Sequence, residues 1–135
     1  MVQVGGRFQL IRNDNFRQHL VALGVPEDRA KEVDAIRPIL EIIVNKNEVI
    51  FSTISGELNS SSKLVFDEEV IETIALNISV KSTTTRTGNQ INIFSIGPKG
   101  ETGIRLFEFY DTEMIMTLSS EHPDIPIAKR YYQRL

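Results

Sequence analysis

The sequence predicts an all-β protein, an antiparallel barrel of about ten strands with a helix-turn-helix cap after the first strand. After Pro38, short runs of β-branched and aromatic residues alternate with turn residues, roughly every eight to twelve positions. Helical spacing of apolar residues is confined to residues 15–36. Repeats, linkers and low-complexity segments are absent from the sequence, so its 135 residues are expected to form one domain.

The region 15–36 carries start and stop signals for two short helices. Asp14 or Asn15 can cap the first helix, and Gly24 ends it. Pro26 opens the second helix, and Pro38 prevents its continuation. The apolar positions are Phe16, Leu20 and Leu23 on the first helix, then Ala30, Val33 and Ile36 on the second.

The strand region is divided by turn signals at Asn45-Lys46-Asn47, Gly88-Asn89 and Asp111-Thr112, and by the glycine-rich run 97–103. Several strands place large side chains on one face, which is predicted to point inward. A closed barrel of about ten strands is wide enough to hold a ligand, although the same pattern also suits a filled core. The residues on these faces are Asn92, Phe94 and Ile96, Phe107 and Phe109, and Met114, Met116 and Leu118.

The last predicted strand alternates Arg130, Tyr132 and Arg134 with Lys129, Tyr131 and Gln133. Periodicity does not decide which face is inside, and arginine is mostly exposed in proteins, so the pattern alone favours a solvated strand end. Arg134, next to the terminus, is interpreted as a solvated charge.

Three short motifs lie in order along the chain. The first, Gly6-Arg7-Phe8-Gln9-Leu10 followed after four residues by Asn15-Phe16, is similar to the opening signature of the intracellular lipid-binding proteins, the fatty-acid-binding and retinoid-binding proteins, although Arg17 replaces the usual acidic residue. Val80-Lys81-Ser82 resembles an internal segment, and Arg130-Tyr131-Tyr132 resembles the arginine-any-tyrosine motif. The order and spacing of these matches extend the resemblance over essentially the whole chain.

The resemblance implies a ten-stranded antiparallel up-and-down barrel of the lipocalin-like (calycin) kind over residues 1–135, with its helical cap at about 15–36. It also implies a monomeric, non-catalytic carrier that binds a long-chain fatty acid or similar hydrophobic ligand in the barrel and transports it through the cytoplasm. Arg130 and Tyr132 would hold the ligand head group. Phe107 falls where the family commonly has a second interior arginine, so Arg105, two residues earlier, is the expected third contributor.

The remaining predicted site residues form two groups. Ligand-chain contacts are expected from Phe94, Ile96, Phe107, Met114, Met116 and Leu118. The entry portal is expected at Phe16, Leu20, Ala30, Val33 and Leu58, the last of which matches a gate residue of the family. Arg17, Arg29 and Lys31 on the helices could contact anionic membranes transiently, although acidic neighbours oppose this.

Three alternative functions stay open: a carrier of a retinoid or another lipid, a structural or protective barrel without a working pocket, and a small lipid-acting enzyme. A net charge of −3 argues against nucleic-acid partners, and the absence of cysteine excludes a disulfide framework and a thiol nucleophile. His19 and His122 show no metal-ligand spacing, so neither a metal site nor a cofactor is expected. The sequence contains no visible signal peptide and no apolar stretch of transmembrane length, which favours a cytoplasmic location.

Overall fold

The computed structural model describes residues 2–56, 58–74 and 78–135, and these residues form ten strands and two helices. The elements in chain order are β1 (Gly6–Asp14), α1 (Phe16–Ala22), α2 (Glu27–Ala35), β2 (Ile39–Val44), β3 (Glu48–Ser55), β4 (Leu58–Val65), β5 (Glu69–Ile74), β6 (Ile78–Thr87), β7 (Gln90–Ile96), β8 (Thr102–Phe109), β9 (Glu113–Ser119) and β10 (Ala128–Arg134).

The strands form one antiparallel sheet in the order β4-β3-β2-β1-β10-β9-β8-β7-β6-β5, which pairs the first strand of the chain with the last. Within the described residues β4 and β5 share no ladder of hydrogen bonds, and a single bridge between Phe66 and Thr84 lies next to this gap. The sheet is therefore a nearly closed barrel. The predicted fold class, a ten-stranded antiparallel barrel with a helical cap after β1, is confirmed.

The two helices pack against each other, and α1 also packs against β10. Asn15 precedes α1 in a left-handed conformation, at φ 59°, and Gly24 follows it at φ 101°. The buried His19 lies with its ring nitrogen Nδ1 2.8 Å from the carbonyl oxygen of Pro126, which ties α1 to the segment before β10. No helix among the described residues has the length and apolar character needed to cross a bilayer.

A β-bulge in β1 changes which residues of that strand face the interior. Leu10 pairs with Tyr132, but the next pair is Arg12 with Tyr131, so Ile11 is an extra residue and lies exposed. Because one inserted residue shifts the two-residue alternation of a strand, Asn13 faces the interior after the bulge, as Leu10 does before it. Asn13 is thereby placed opposite Arg130.

The core cluster fills the inner faces of the strands. Its buried members are Phe8, Leu10, Leu40, Ile42, Val49, Leu64, Ile91, Ile93, Phe107, Phe109, Met114 and Tyr132. At the end opposite the helices, Arg134 donates hydrogen bonds to the backbone carbonyls of Gln3, Gly5 and Tyr110 at 2.7–3.0 Å, and its guanidinium lies 4.8 Å from the Phe8 ring centroid. The interpretation of Arg134 as a solvated charge was wrong, because it anchors the N-terminal segment.

Candidate functional site

Three adjacent strands, β8, β9 and β10, bring most of the predicted head-group and ligand-chain residues onto one inner face. Met116 of β9 pairs with Phe107 on one side and Arg130 on the other. On the same face of β9, Met114 pairs with Phe109 and Tyr132, and Leu118 pairs with Arg105 and Ala128. Burial of Phe107, Phe109, Met114 and Tyr132 identifies this face as the interior one.

Arg130 lies beneath the helical cap and between two aromatic rings. The central carbon of its guanidinium is 4.0 Å from the ring centroid of Phe16 and 5.9 Å from that of Tyr132. Its Nε donates a hydrogen bond of 3.0 Å to the amide oxygen of Asn13. Of the carboxylates in the described residues, none lies within ion-pair distance of Arg130. Burial lowers the pKa of Arg130, and the nearby Tyr132 and Asp34 only partly oppose that shift.

Asn13 connects Arg130 to the end of α2. The amide nitrogen of Asn13 lies 3.2 Å from both the backbone carbonyl oxygen and the carboxylate oxygen Oδ1 of Asp34, and donates to both. The amide oxygen therefore faces the cation while the amide nitrogen faces the anion. Asn13 was missed at the sequence level, because the bulge at Ile11 reverses the alternation from which its direction would be read.

Tyr132 is 3% exposed and lies next to Arg130 on the same face of β10. Burial raises the pKa of the Tyr132 phenol, and the positive charge of Arg130 partly offsets this effect. The phenol therefore stays protonated at neutral pH and is available as a neutral hydroxyl donor.

Arg105 points inward, as its spacing from Phe107 predicts, but it forms an ion pair within the chain. Its guanidinium hydrogen-bonds the carboxylate of Glu72 and lies 3.3 Å from the hydroxyl of Ser95. Glu72 also accepts a 2.6 Å hydrogen bond from Ser82, whose hydroxyl is 2.8 Å from that of Ser95. The side chains of Arg105 and Glu72 are 26% and 9% exposed, so this pair is largely withdrawn from water. Glu72 was not recognised in the sequence.

The predicted inward orientation of Asn92, Phe94 and Ile96 was wrong. Ile91 and Ile93 are completely buried, and Ser95 contacts interior polar groups, so the odd-numbered residues of β7 face inward. Ile96 is 39% exposed, and Phe94 lies on the same outer face. The first half of β7 alternates Gln90 and Asn92 with Ile91 and Ile93, which favours the odd-numbered face as the inner one, whereas Phe94, Ser95 and Ile96 reverse that pattern.

Phe51 of β3 belongs to the interior, although it was not among the residues predicted to face inward. Its ring centroid lies 4.9 Å from that of Phe107, and the two rings are inclined by 33°. β3 and β8 are not neighbours in the sheet, so this contact crosses the barrel interior. Phe51 therefore joins Phe107 and Met116 as an apolar surface near Arg130.

The predicted portal residues occupy different environments. Phe16 and Ala30 are buried beneath the cap, and Phe16 covers the guanidinium of Arg130. Leu20 and Val33 are half-buried. Leu58 begins β4, but its side chain lies outside the described residues. The portal role of this group stays a prediction.

The two histidines have different partners among the described residues. His19 bonds the backbone at Pro126, and His122 lies 3.8 Å from the carboxylate of Asp124 in an exposed turn. In the stretches 2–56, 58–74 and 78–135, no group of three or more potential metal ligands is found.

Comparisons with known proteins place the chain among fatty-acid-binding proteins. It is 32% identical over 108 residues to a fatty acid-binding protein of Tyrophagus putrescentiae, a match covering 79% of this chain and 82% of that protein. It is 29% identical over 139 aligned positions to fatty acid-binding protein 2 of Manduca sexta, covering 98% and 99%. The crystal structure of a Drosophila melanogaster brain fatty acid-binding protein superposes with a TM-score of 0.84 at 25% identity, covering 96% of this chain and 98% of that one. No model of a protein family matches the chain.

Proposed function

Because the chain belongs to the intracellular lipid-binding protein family, we propose that it binds a long-chain fatty acid inside the barrel and carries it unchanged through the cytoplasm. The observation that carries this proposal is the environment of Arg130. A partly buried cation is contacted by two aromatic rings and a neutral amide, while Asp34 stays beyond ion-pair distance.

The physical reason is the cost of an uncompensated buried charge. A cation withdrawn from water is expensive unless an anion and hydrogen bonds replace its hydration. The Nε of Arg130 is engaged by Asn13, and the described residues accept no hydrogen bond from either of its terminal amino groups. These two groups form the planar fork that suits the two oxygens of a carboxylate. The protonated hydroxyl of Tyr132 would supply a further donor.

Arg105 is a weaker candidate for the head group because Glu72 already balances its charge. We assign Arg105 to the wall of the binding site, and Arg130 to the binding of the ligand carboxylate. Phe107, Met114, Met116 and Leu118 stay the proposed chain contacts, and Phe51 joins them, whereas Phe94 and Ile96 do not. Each methylene buried on these surfaces would contribute about 0.8 kcal/mol, so most of the affinity would come from the chain.

The proposed carrier acts as a monomer and catalyses no reaction. The named relatives are binding proteins, which supports a carrier over an enzyme. Transient membrane contact through the helices is less favoured, because Arg17 is paired with Glu27 and Arg29 with Glu32. Pairing of this kind reduces the positive potential that would attract an anionic membrane.

The test compares palmitic acid with hexadecanol, using delipidated protein and isothermal titration calorimetry. Arg130→Gln is expected to weaken palmitate binding ten- to about a hundredfold, because a hydrogen bond between charged groups contributes about 1.5–3 kcal/mol. Hexadecanol binding should change less than about twofold. Arg12→Gln is the matched control, since Arg12 stacks 3.7 Å from the Tyr131 ring on the outer face. Equal losses for acid and alcohol would remove Arg130 from the proposal, and failure of wild-type protein to bind either lipid would overturn the carrier function.

A further inference from the structure

The side chain of Asn13 lies between a cation and an anion, and it contacts both. Its oxygen accepts from Arg130 Nε at 3.0 Å, and its nitrogen donates to Asp34 Oδ1 and to the Asp34 backbone carbonyl at 3.2 Å. An amide is suited to this position because it has an acceptor at one end and two donors at the other. A carboxylate would be repelled by Asp34, and an aliphatic side chain would leave the Arg130 Nε–H without this acceptor.

We propose that Asn13 is a specificity-determining residue: its neutral amide holds the Arg130 guanidinium without balancing its charge, so the site prefers an anionic lipid to a neutral one. This inference rests on the proposed fatty-acid binding. The bulge at Ile11 is the structural device that brings Asn13 to face Arg130. Bulges commonly re-aim a side chain near functional sites.

The ion pair of Arg105 shows the effect of a carboxylate, instead of an amide, in contact with an inward-facing arginine. There a carboxylate, Glu72, contacts the guanidinium directly and balances its charge within the chain. At Arg130 the corresponding contact is the amide of Asn13. The carboxylate of Asp34 contacts the other end of that amide, so Asn13 separates it from Arg130. The charge left at Arg130 is therefore available to a ligand carboxylate.

The decisive variant exchanges the two side chains, Asn13→Asp together with Asp34→Asn. Composition and net charge are unchanged, and a donor–acceptor pair between positions 13 and 34 is retained. The exchange brings the carboxylate into contact with Arg130. The ratio of hexadecanol to palmitate dissociation constants, measured by calorimetry, is expected to fall at least about tenfold, while hexadecanol affinity changes less than about twofold. An unchanged ratio in this variant would overturn the inference.

Asp34→Asn alone is the matched control, because it removes the same carboxylate without bringing one to Arg130. It is expected to keep the wild-type preference for palmitate or to increase it. Loss of the preference in this single variant would show that Asp34, and not the group at position 13, sets the selectivity. That result would also overturn the inference.

A measurement on wild-type protein keeps the inference testable if the exchange variant does not fold. The Nε–H proton of Arg130, followed by NMR, is expected to stay protected from solvent exchange both without ligand and with palmitate, because Asn13 accepts it in both states. Loss of that protection on palmitate binding would mean that the carboxylate displaces Asn13, and this result would overturn the inference. If wild-type protein binds no fatty acid, the proposed function itself fails. If Arg130→Gln loses palmitate selectivity while the exchange variant retains it, only the role of Asn13 fails.

Discussion

Arg105 and Arg130 project from the inner face of the same sheet, on strands separated only by β9, yet the chain surrounds them differently. Arg105 contacts the carboxylate of Glu72 within a network of two serine hydroxyls. Arg130 contacts the amide of Asn13 and the ring of Phe16. The first arrangement balances its charge internally, whereas the second leaves Arg130 without a carboxylate partner among the described residues, and we propose that an anion from outside the chain supplies one.

This difference assigns the two arginines to different tasks. A buried ion pair loses stability when one partner is removed, because the other charge is left without compensation. A buried cation without a counter-ion is a cost that the ligand-free protein carries and that an anionic ligand relieves. Substitutions that break the Arg105 ion pair are therefore expected to lower the stability of the protein. Substitution of Arg130 is expected to lower the affinity for an anionic ligand and to change the stability of the ligand-free protein less.

The largest stability effect is expected from Glu72→Gln. Removing this carboxylate leaves Arg105 unbalanced in the interior, so the free energy of unfolding should fall by about 3 kcal/mol. Urea denaturation of the delipidated protein measures it. Glu48→Gln is the control, because its partner Lys63, 3.0 Å away, is mostly exposed and such surface pairs contribute about 1 kcal/mol or less. Equal, small losses in both variants would mean that the Arg105–Glu72 pair is effectively solvated.

A smaller effect is expected from Arg130→Gln in the absence of ligand. This change removes a charge that burial disfavours, at the cost of the contacts with Asn13 and Phe16. The free energy of unfolding should stay within about 1 kcal/mol of wild type, whereas Arg105→Gln should lower it by about 3 kcal/mol. The same denaturation experiment compares them. A loss for Arg130→Gln as large as that for Arg105→Gln would show that the chain itself balances Arg130.

The smallest effect concerns Tyr132 and appears only at alkaline pH. Because burial raises the pKa of Tyr132, the unfolded phenol loses its proton first, near its ordinary pKa of about 10. Its contribution to stability is therefore present below about pH 10 and is lost as the pH rises toward the folded pKa. Tyr132→Phe should reduce the alkaline loss of stability, measured by urea denaturation across this range.

Tyr131→Phe, on the opposite face of β10, is the control for removing a phenol. An alkaline loss that is the same in wild type and in Tyr132→Phe would contradict the buried, protonated state of Tyr132.

The fold could be predicted from the sequence because turns and helix ends depend on the chemistry of neighbouring residues. Asn45-Lys46-Asn47 and Gly88-Asn89 mark two hairpins, and Pro26 and Gly24 mark helix boundaries, as the structure confirms. The direction of a strand face is a less local property. In β7 the alternation of polar and apolar residues reverses after Ile93, so the pairing with β6 and β8 is needed to determine that Ile91 points inward and Phe94 outward.

The candidate site could be predicted only in part from the sequence, because the direction of a strand face is not a local property. The motif carrying Arg130 and Tyr132 identified them, and spacing from Phe107 gave the direction of Arg105. Their partners depend on long-range register. Asn13 is brought inward by a bulge, and on β5 Glu72 faces inward while Ile71, one residue before it, is 70% exposed. The polarity of these two residues, taken one at a time, would have predicted the reverse.

Whether Arg130 takes its counter-ion from the ligand can be measured by a pH titration of bound palmitate labelled with ¹³C at its carboxyl carbon. An adjacent cation favours the charged form of an acid, whereas burial alone disfavours it. In wild-type protein the carboxyl resonance should therefore report a pKa below that of a solvated carboxyl group, and Arg130→Gln should raise it. If the bound carboxyl group titrates at its solvated pKa, or if Arg130→Gln does not change its pKa, then Arg130 is not the partner of the ligand carboxylate.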